Sequence, residues 1–458
     1  MHSFENTSYL CRSMRILIVS TSERTGGAAV AACRLMEALN NNGVKAKMLV
    51  RDLAEAHQQD GRPVKERISV ASLPRSFRLS WHFLWERLII FLHLGFARQH
   101  LFDIDIANSG SDITQLPEFR EADVIHLHWV NQGMLSLADI RKILRSGKPV
   151  VWTMHDLWPA TAVCHYARGC KKYQDECADC PLFPKTLLGD LARRVWRRKM
   201  HLQHEGLIHY VCCSRWLEGE TRKSALLQGQ PVCNIPNPIN SQVYRPAEIY
   251  GSYASERHDD RLEARRRLGL PEEGRVLLFV SQKVTDERKG ISYLVEAVNN
   301  LVEQHPELCA DVHIAILGGH AEEIVSELPL PTHLLGYVSD EKTIVSAYHA
   351  SDVFVTPSLE DNLPNTIMEA MACGVPCVGF RVGGIPEMID HQKNGYVAEL
   401  RSAADLARGI YWVLGEADRS ALSVAAVRKV AQSYSQTRVA MKYIEVYQEA
   451  LAHKHFKL

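Results

Sequence analysis

The sequence predicts an α/β protein made of two doubly wound parallel sheets, and three observations carry that prediction. Short apolar runs, of the length and composition of buried strands, alternate with helical stretches along the chain. This alternation is the pattern of βαβ units, which make parallel sheets with helices on both faces. The strands also fall in two successive sets, separated by the Asn237-Pro238-Ile239-Asn240 turn and a polar stretch through Asp260, so each set makes its own sheet.

The first set opens with Met14–Ser20 (MRILIVS), an apolar strand. Gly26-Gly27 ends the loop after it, and Ala28–Leu39 is a helix whose small and apolar residues let it sit close on a sheet. Lys45–Arg51, Val124–His128, Val150–Met154 and Ile208–Cys212 supply further strands. The second set comprises Val276–Val280, Val312–Leu317, His333–Leu335, Val353–Thr356 and Cys377–Phe380, again with helices between. The last helix, Gln436–Ala452, carries Val439, Tyr443, Val446 and Tyr447 on one face at helical spacing.

A chain of 458 residues is long enough for two or three domains with sizeable cores. Lys+Arg and Asp+Glu balance at 53 each, which gives no hint of a nucleic-acid partner. No run of about eighteen apolar residues is present, so no membrane span is expected. The start, MHSFENTSYLCRS, lacks the layout of a secretory signal and reads as a floppy leader, with Met14 as the structural beginning. A cytoplasmic chain follows from that reading, with its twelve cysteines mostly reduced.

Residues 357–387 (PSLEDNLPNTIMEAMACGVPCVGFRVGGIPE) hold the most informative pattern. A buried strand, a polar loop, a helix over about Asn365–Cys373, a second strand (Pro376–Phe380) and a Gly-Gly loop follow one another. Asp361 lies on the loop where the first strand ends, and Glu369 lies inside the helix. In an open α/β sheet, ligands bind at the carboxyl ends of the strands, and a helix start offers N–H groups to a phosphate. Two acids so placed can straddle a nucleotide diphosphate, one reaching toward a sugar and the other toward ribose hydroxyls.

This segment resembles the signature of retaining GT-B glycosyltransferases of family GT4. The matching residues are Pro357, Ser358, Asp361, Glu369, Ala370, Met371, Ala372, Cys373, Gly374, Pro376, Gly383, Gly384, Pro386 and Glu387. Two departures stand out. The family's first glutamate position holds Asp361, and its glycine-rich turn is replaced by Asn362-Leu363-Pro364-Asn365-Thr366. Pro364 has no N–H, so Leu363, Asn365 and Thr366 must supply the phosphate donors.

The resemblance implies two Rossmann-like domains facing across a cleft, residues 14–238 on the acceptor side and 239–435 on the nucleotide-sugar side. It also implies that the terminal segment 436–458 crosses back to the first domain. In the family a strand end bears an arginine and a lysine that grip the donor diphosphate. Within SQKVTDERKG (Ser281–Gly290), Lys289 matches the lysine, and Arg288 or Lys283 the arginine. His155 matches a family histidine near the reacting sugar, with a plain strand-end histidine as the alternative. Gly27, at the first strand–helix junction, offers a backbone amide to phosphate or sugar. Gly336 and Val338, around Tyr337, stand where the family's backbone holds the base.

The implied reaction moves a sugar from a UDP- or GDP-sugar to a glycan or a polyprenyl-diphosphate-linked acceptor. The leaving phosphate helps to deprotonate the acceptor hydroxyl, and no cofactor is required. Asp103-Ile104-Asp105 is similar to a metal-binding DxD of another glycosyltransferase fold, but falls in the wrong half and reads as surface acid. A non-catalytic nucleotide-sugar-binding subunit and a GT-B-fold epimerase are the competing functions.

Two further features stand outside that pattern. Cys164, Cys170, Cys177 and Cys180, within the stretch 164–181, end in a CxxC and can bind a structural Zn²⁺ as thiolates. Disulfides and unligated thiols are the alternatives, and His165 is a weaker ligand than the sulfurs. Arg75–Phe96 combines aromatic residues with arginines, and Lys185–Lys199 adds Arg193, Arg194, Arg197 and Arg198. Such faces can rest on the anionic inner face of the cytoplasmic membrane, or be buried helices with a solvated basic side.

Overall fold

The computed structural model describes residues 14–54, 69–74, 77–184, 188–247 and 260–455. The leader at residues 1–13 lies outside them, as do the first residues of both segments read as interfacial. The chain divides into two compact units. One comprises the residues through Pro238 together with those from Gln436 onward, and the other is Ile239–Ser435.

The first unit holds a seven-stranded sheet of β1 (Arg15–Ser22), β2 (Lys45–Asp52), β3 (Val70–Ser72), β4 (Val124–Leu127), β5 (Val150–Met154), β6 (Ile208–Cys212) and β7 (Val232–Asn234). Its order is β3-β2-β1-β4-β5-β6-β7, and every pairing is parallel. Strands β4, β5 and β6 are buried throughout, which is why they read as continuous apolar runs. Helix α1 (Gly27–Asn41) buries Ala29, Ala31, Ala32, Leu35, Ala38 and Leu39. The terminal helix, Gln436–His455, packs on α1 and belongs to this unit. On it, Tyr443 Oη meets Thr153 Oγ1 at 2.8 Å and Tyr447 Oη meets His126 Nδ1 at 2.7 Å.

Helix α2 (Phe77–His93) buries mostly polar side chains. Glu86, Arg87, Ile90 and His93 face inward, while Phe77, Trp81, Leu84, Trp85 and Leu88 are exposed. Here the structure corrects the reading of Asp105 as a surface acid. Asp105 is fully buried, paired with Arg87, and its Oδ2 lies 2.6 Å from His165 Nε2. Asp103 alone is partly exposed, and it pairs with Arg168 at 2.7 Å. An unpaired carboxylate could not be buried, and Arg87 and His165 supply the compensation. Helix α3 (Leu191–Gln203) is the basic segment. Lys199 is buried on it, donating to the Trp158 and Thr161 carbonyls at 2.5 and 3.0 Å over the Trp158 ring.

The second unit holds a six-stranded parallel sheet of β8 (Arg275–Lys283), β9 (Val312–Gly319), β10 (Thr332–Gly336), β11 (Val353–Thr356), β12 (Cys377–Phe380) and β13 (Gly395–Ala398). Its order is β10-β9-β8-β11-β12-β13. Helices α4 (Ile291–Gln304) and α5 (Asn365–Ala372) follow β8 and β11. Leu277, Phe279, Ile314, Val353, Val355 and Leu294 are among its core residues. Each such side chain contributes roughly 1.5–3 kcal/mol by leaving water.

In both sheets the chain winds outward one way and then the other. The reversal falls between β1 and β4 in the first and between β8 and β11 in the second. Such switch points open a crevice at the carboxyl ends of the strands, where ligands bind in doubly wound sheets.

Candidate functional site

In the second unit, two loops meet at the switch point. Asp286 caps the short turn Glu287–Lys289 after β8, accepting the Arg288 N–H at 3.0 Å, and the chain then enters α4 through Gly290. The Leu359 N–H donates to the Arg288 carbonyl at 2.8 Å, tying this turn to the loop after β11. Gly290 has φ 69°, and a Cβ there would lie 2.0 Å from the Pro357 carbonyl oxygen. Only glycine allows the two loops to come so close. Gly383, with φ 55°, does the same against the Asp361 carbonyl oxygen.

This closeness brings together three of the residues singled out from the sequence. Lys289 Nζ donates to Asp361 Oδ2 at 2.6 Å, and Arg288 Nη1 lies 3.9 Å from the same oxygen. Arg288 also donates to the Glu360 carbonyl at 3.0 Å and to Asp286 at 3.2 Å. Burial raises the Asp361 carboxyl pKa, but Lys289 and Arg288 more than reverse this and hold it below the ordinary carboxylate value. Lys283 is exposed at the last position of β8, so of the two arginine candidates Arg288 is the one that reaches the β11 loop.

Helix α5 starts after Pro364 with no side-chain cap. Its first residues Asn365 and Thr366 are half-buried, and Leu363 is buried before them. Glu369 sits on the same helix, 7% exposed, and one of its oxygens accepts from Tyr348 Oη at 2.9 Å. That bond orients the carboxylate, and nothing in the motif points to Tyr348. Gly336 ends β10, with exposed Tyr337 and then Val338 following; β10 lies two strands from β8 in the sheet order.

In the first unit, Gly27 is the first residue of α1, after the short loop that follows β1. Gly26 before it is at φ 89°, and no side chain caps the helix. His155 follows β5, and its Nε2 lies 2.9 Å from His128 Nδ1 beyond the end of β4. The His126 and His128 rings in turn lie 4.4 Å apart, tilted at 46°. Burial drives all three imidazoles toward the neutral form. His155 is pushed down to about 4 with Asp156 opposing, His126 to about 3, and His128 well below its usual value. A neutral imidazole both donates and accepts a hydrogen bond. The next residue, Asp156, accepts from Trp129 Nε1 at 3.0 Å and lies 2.7 Å from His165 Nδ1. None of this second layer is visible as a motif.

The four cysteines all line one small cavity, and none of them is in a disulfide. Beside the basic helix, Trp85, Ile89, Val195, Arg194 and Arg198 line a second cavity of about 360 Å³. Arg193 and Arg197 point instead at Glu176, 3.6 and 3.9 Å away. No described helix is long and apolar enough to cross a membrane.

Comparison with known proteins adds the following. Residues 25–243 match the family model described as Glycosyltransferase Family 4, and residues 274–416 the model described as Glycosyl transferases group 1. A D-inositol 3-phosphate glycosyltransferase of Salinispora arenicola is 30% identical over 233 residues, 47% of this chain and 51% of that protein. An N-acetyl-alpha-D-glucosaminyl L-malate synthase of Bacillus anthracis is 25% identical over 201 residues, 42% of this chain and 50% of that one. The chain thus spans about half the length of the curated relatives it matches. Among solved structures, a sucrose-phosphate synthase from Thermosynechococcus elongatus superposes with TM-score 0.62 at 18% identity, covering 96% of this chain and all of that one. Anabaena HepE in complex with UDP-glucose gives 0.60 at 16% identity, covering 95% of this chain and 100% of that one. At such identities the likeness is one of fold.

Proposed function

Because the chain belongs to glycosyltransferase family 4, we propose that it moves a sugar from a UDP- or GDP-sugar to a hydroxyl of a glycan or lipid-linked glycan, with its anomeric configuration retained. Its two parallel-sheet units are of the GT-B type. The observation that carries the proposal is the Lys289–Arg288–Asp361 cluster at the β8/β11 switch point.

The chemistry follows from charge. As the bond between sugar and diphosphate lengthens, negative charge grows on the departing oxygen. Lys289 and Arg288 neutralise that charge more strongly in the transition state than in the bound donor, which is what accelerates a reaction. Asp361 holds the Lys289 ammonium in place before the donor arrives. The amides of Leu363, Asn365 and Thr366 serve the phosphates, Glu369 the ribose hydroxyls, and the backbone at Gly336 and Val338 the base. In the first unit, the Gly27 amide and the neutral His155 imidazole serve sugar or acceptor hydroxyls. The leaving phosphate takes the acceptor proton, so the reaction needs no metal or cofactor. Among the structures of like fold, HepE has been solved with UDP-glucose, which supports a nucleotide-sugar donor.

For the acceptor we favour a polyprenyl-diphosphate-linked glycan of cell-surface polysaccharide biosynthesis, met at the inner face of the cytoplasmic membrane. The support is the cavity of about 360 Å³ with Arg194 and Arg198 on an otherwise largely apolar wall. It adjoins the exposed apolar stripe of α2, where Trp81 and Trp85 stack at 6.0 Å. Flotation with anionic liposomes, compared between the natural chain and an Arg194→Ser/Arg198→Ser variant, tests this part. Unchanged flotation would count against it.

The catalytic part is tested by assaying transfer and nucleotide binding together on folded Asp361→Ala and Glu369→Ala variants, with the product anomer assigned by NMR. Loss of transfer in both supports an enzyme. A natural chain that binds nucleotide sugar yet transfers nothing across acceptors would favour the non-catalytic subunit.

A further inference from the structure

We infer that Cys164, Cys170, Cys177 and Cys180 form a tetrathiolate site for one Zn²⁺, which closes the 164–181 insert on itself. The four cysteines all line a single cavity of about 20 Å³, room for one occupant the size of a water molecule. Other atoms already support the sulfurs from outside. The Ala162 amide donates to Cys177 and the Leu182 amide to Cys180. Such outer bonds orient a sulfur for a metal.

Cys177-Ala178-Asp179-Cys180 turns through Asp179 at φ 45°, and the approach to Cys170 turns through Arg168 and Gly169 at φ 48° and 79°. A CxxC on one turn supplies half of a tetrahedral site, and the two upstream cysteines supply the other half. Among the described residues, no three of these sulfurs lie within 4.8 Å of one another. Zn–S bonds of about 2.3 Å therefore draw the loops inward around the cavity. On binding, the four thiols release their protons to solvent and the ion is held by four thiolates.

The position gives the knot a consequence for the chemistry nearby. His165, next to Cys164, bridges Asp156 and Asp105, and Asp156 directly follows His155. A metal that fixes the insert also fixes the loop carrying His155.

One other group of donors competes for a metal. His209, Glu449 and His453 lie within 4.8 Å of one another, two of them exposed. The test separates the two sites. The full chain, expressed with zinc in the medium, is assayed for bound metal beside Cys177→Ser/Cys180→Ser and His453→Ala variants. One zinc per chain is expected in the natural protein and in His453→Ala, and none in the double serine variant. The natural chain refilled with Co²⁺ should show intense thiolate-to-cobalt absorption, a readout that needs no variant to fold. A metal-free natural chain that gives no such band with Co²⁺ would overturn the inference. So would zinc kept by the double serine variant and lost from His453→Ala.

Discussion

Lys289 Nζ lies 2.6 Å from Asp361 Oδ2, joining the loop after β8 to the loop after β11 across the point where the sheet order reverses. The side chains are 23% and 12% exposed, so the bond is largely shielded from water. Arg288 stands 3.9 Å from the same carboxylate oxygen. The cluster is thus arranged around cations that a diphosphate can share.

Removing one of those cations should cost transition-state stabilisation rather than fold. Lys289→Met is expected to lower kcat/KM by about 10²–10³-fold, or about 2.7–4 kcal/mol, the usual loss of one preorganised electrostatic partner. Steady-state kinetics on variant protein with an unchanged circular dichroism spectrum checks this. A loss below tenfold would remove Lys289 from the mechanism.

The loops' closeness depends on glycine at two positions. Gly290→Ala places a methyl against the Pro357 carbonyl, and Gly383→Ala against the Asp361 carbonyl, both at positive φ. Each is expected to destabilise the second unit by more than about 1 kcal/mol and to weaken nucleotide binding. Denaturation with and without UDP measures both effects.

The histidine column predicts sensitivity to acid. His126, His128 and His155 have folded-state pKa values below the unfolded value of about 6.5. Between the two values the unfolded chain binds more protons, so stability rises with pH. Acidification from pH 6.5 toward 4 should therefore destabilise the first unit, by up to about 1.4 kcal/mol per pH unit for each buried histidine. Urea midpoints across that range report it, and a flat profile would contradict it.

The terminal helix is held by specific polar bonds as well as apolar burial. Tyr447→Phe deletes the partner of His126 Nδ1 in a fully buried setting and should cost about 1–3 kcal/mol. Chemical denaturation checks it.

Much of this architecture was legible because buried parallel strands are continuous apolar runs, and β5 and β6 begin and end where those runs do. β3 and β7 are three-residue edge strands, too short to show a period. β13 opens on Gly395, which reads as a loop residue. A Cβ there would lie 2.2 Å from the Cys377 carbonyl, so glycine is needed for the strand to pair. At the site, Asp361, Lys289 and Arg288 stood out through the resemblance to the family's motifs, on loops that follow strands. The layer behind them did not. Tyr348 beneath Glu369, and Arg87 and His165 around Asp105, are joined by tertiary contacts between distant segments. A carboxylate's partners cannot be read from its neighbours in sequence, and so Asp105 passed for a surface acid.

The central claim is that the β8/β11 switch point captures a nucleotide diphosphate. A crystal structure of the chain with UDP or GDP bound tests it most directly. The account predicts diphosphate oxygens about 2.7–3.2 Å from Lys289 Nζ and the Arg288 guanidinium, with the ribose against Glu369. A fully occupied nucleotide bound away from all three side chains would contradict it.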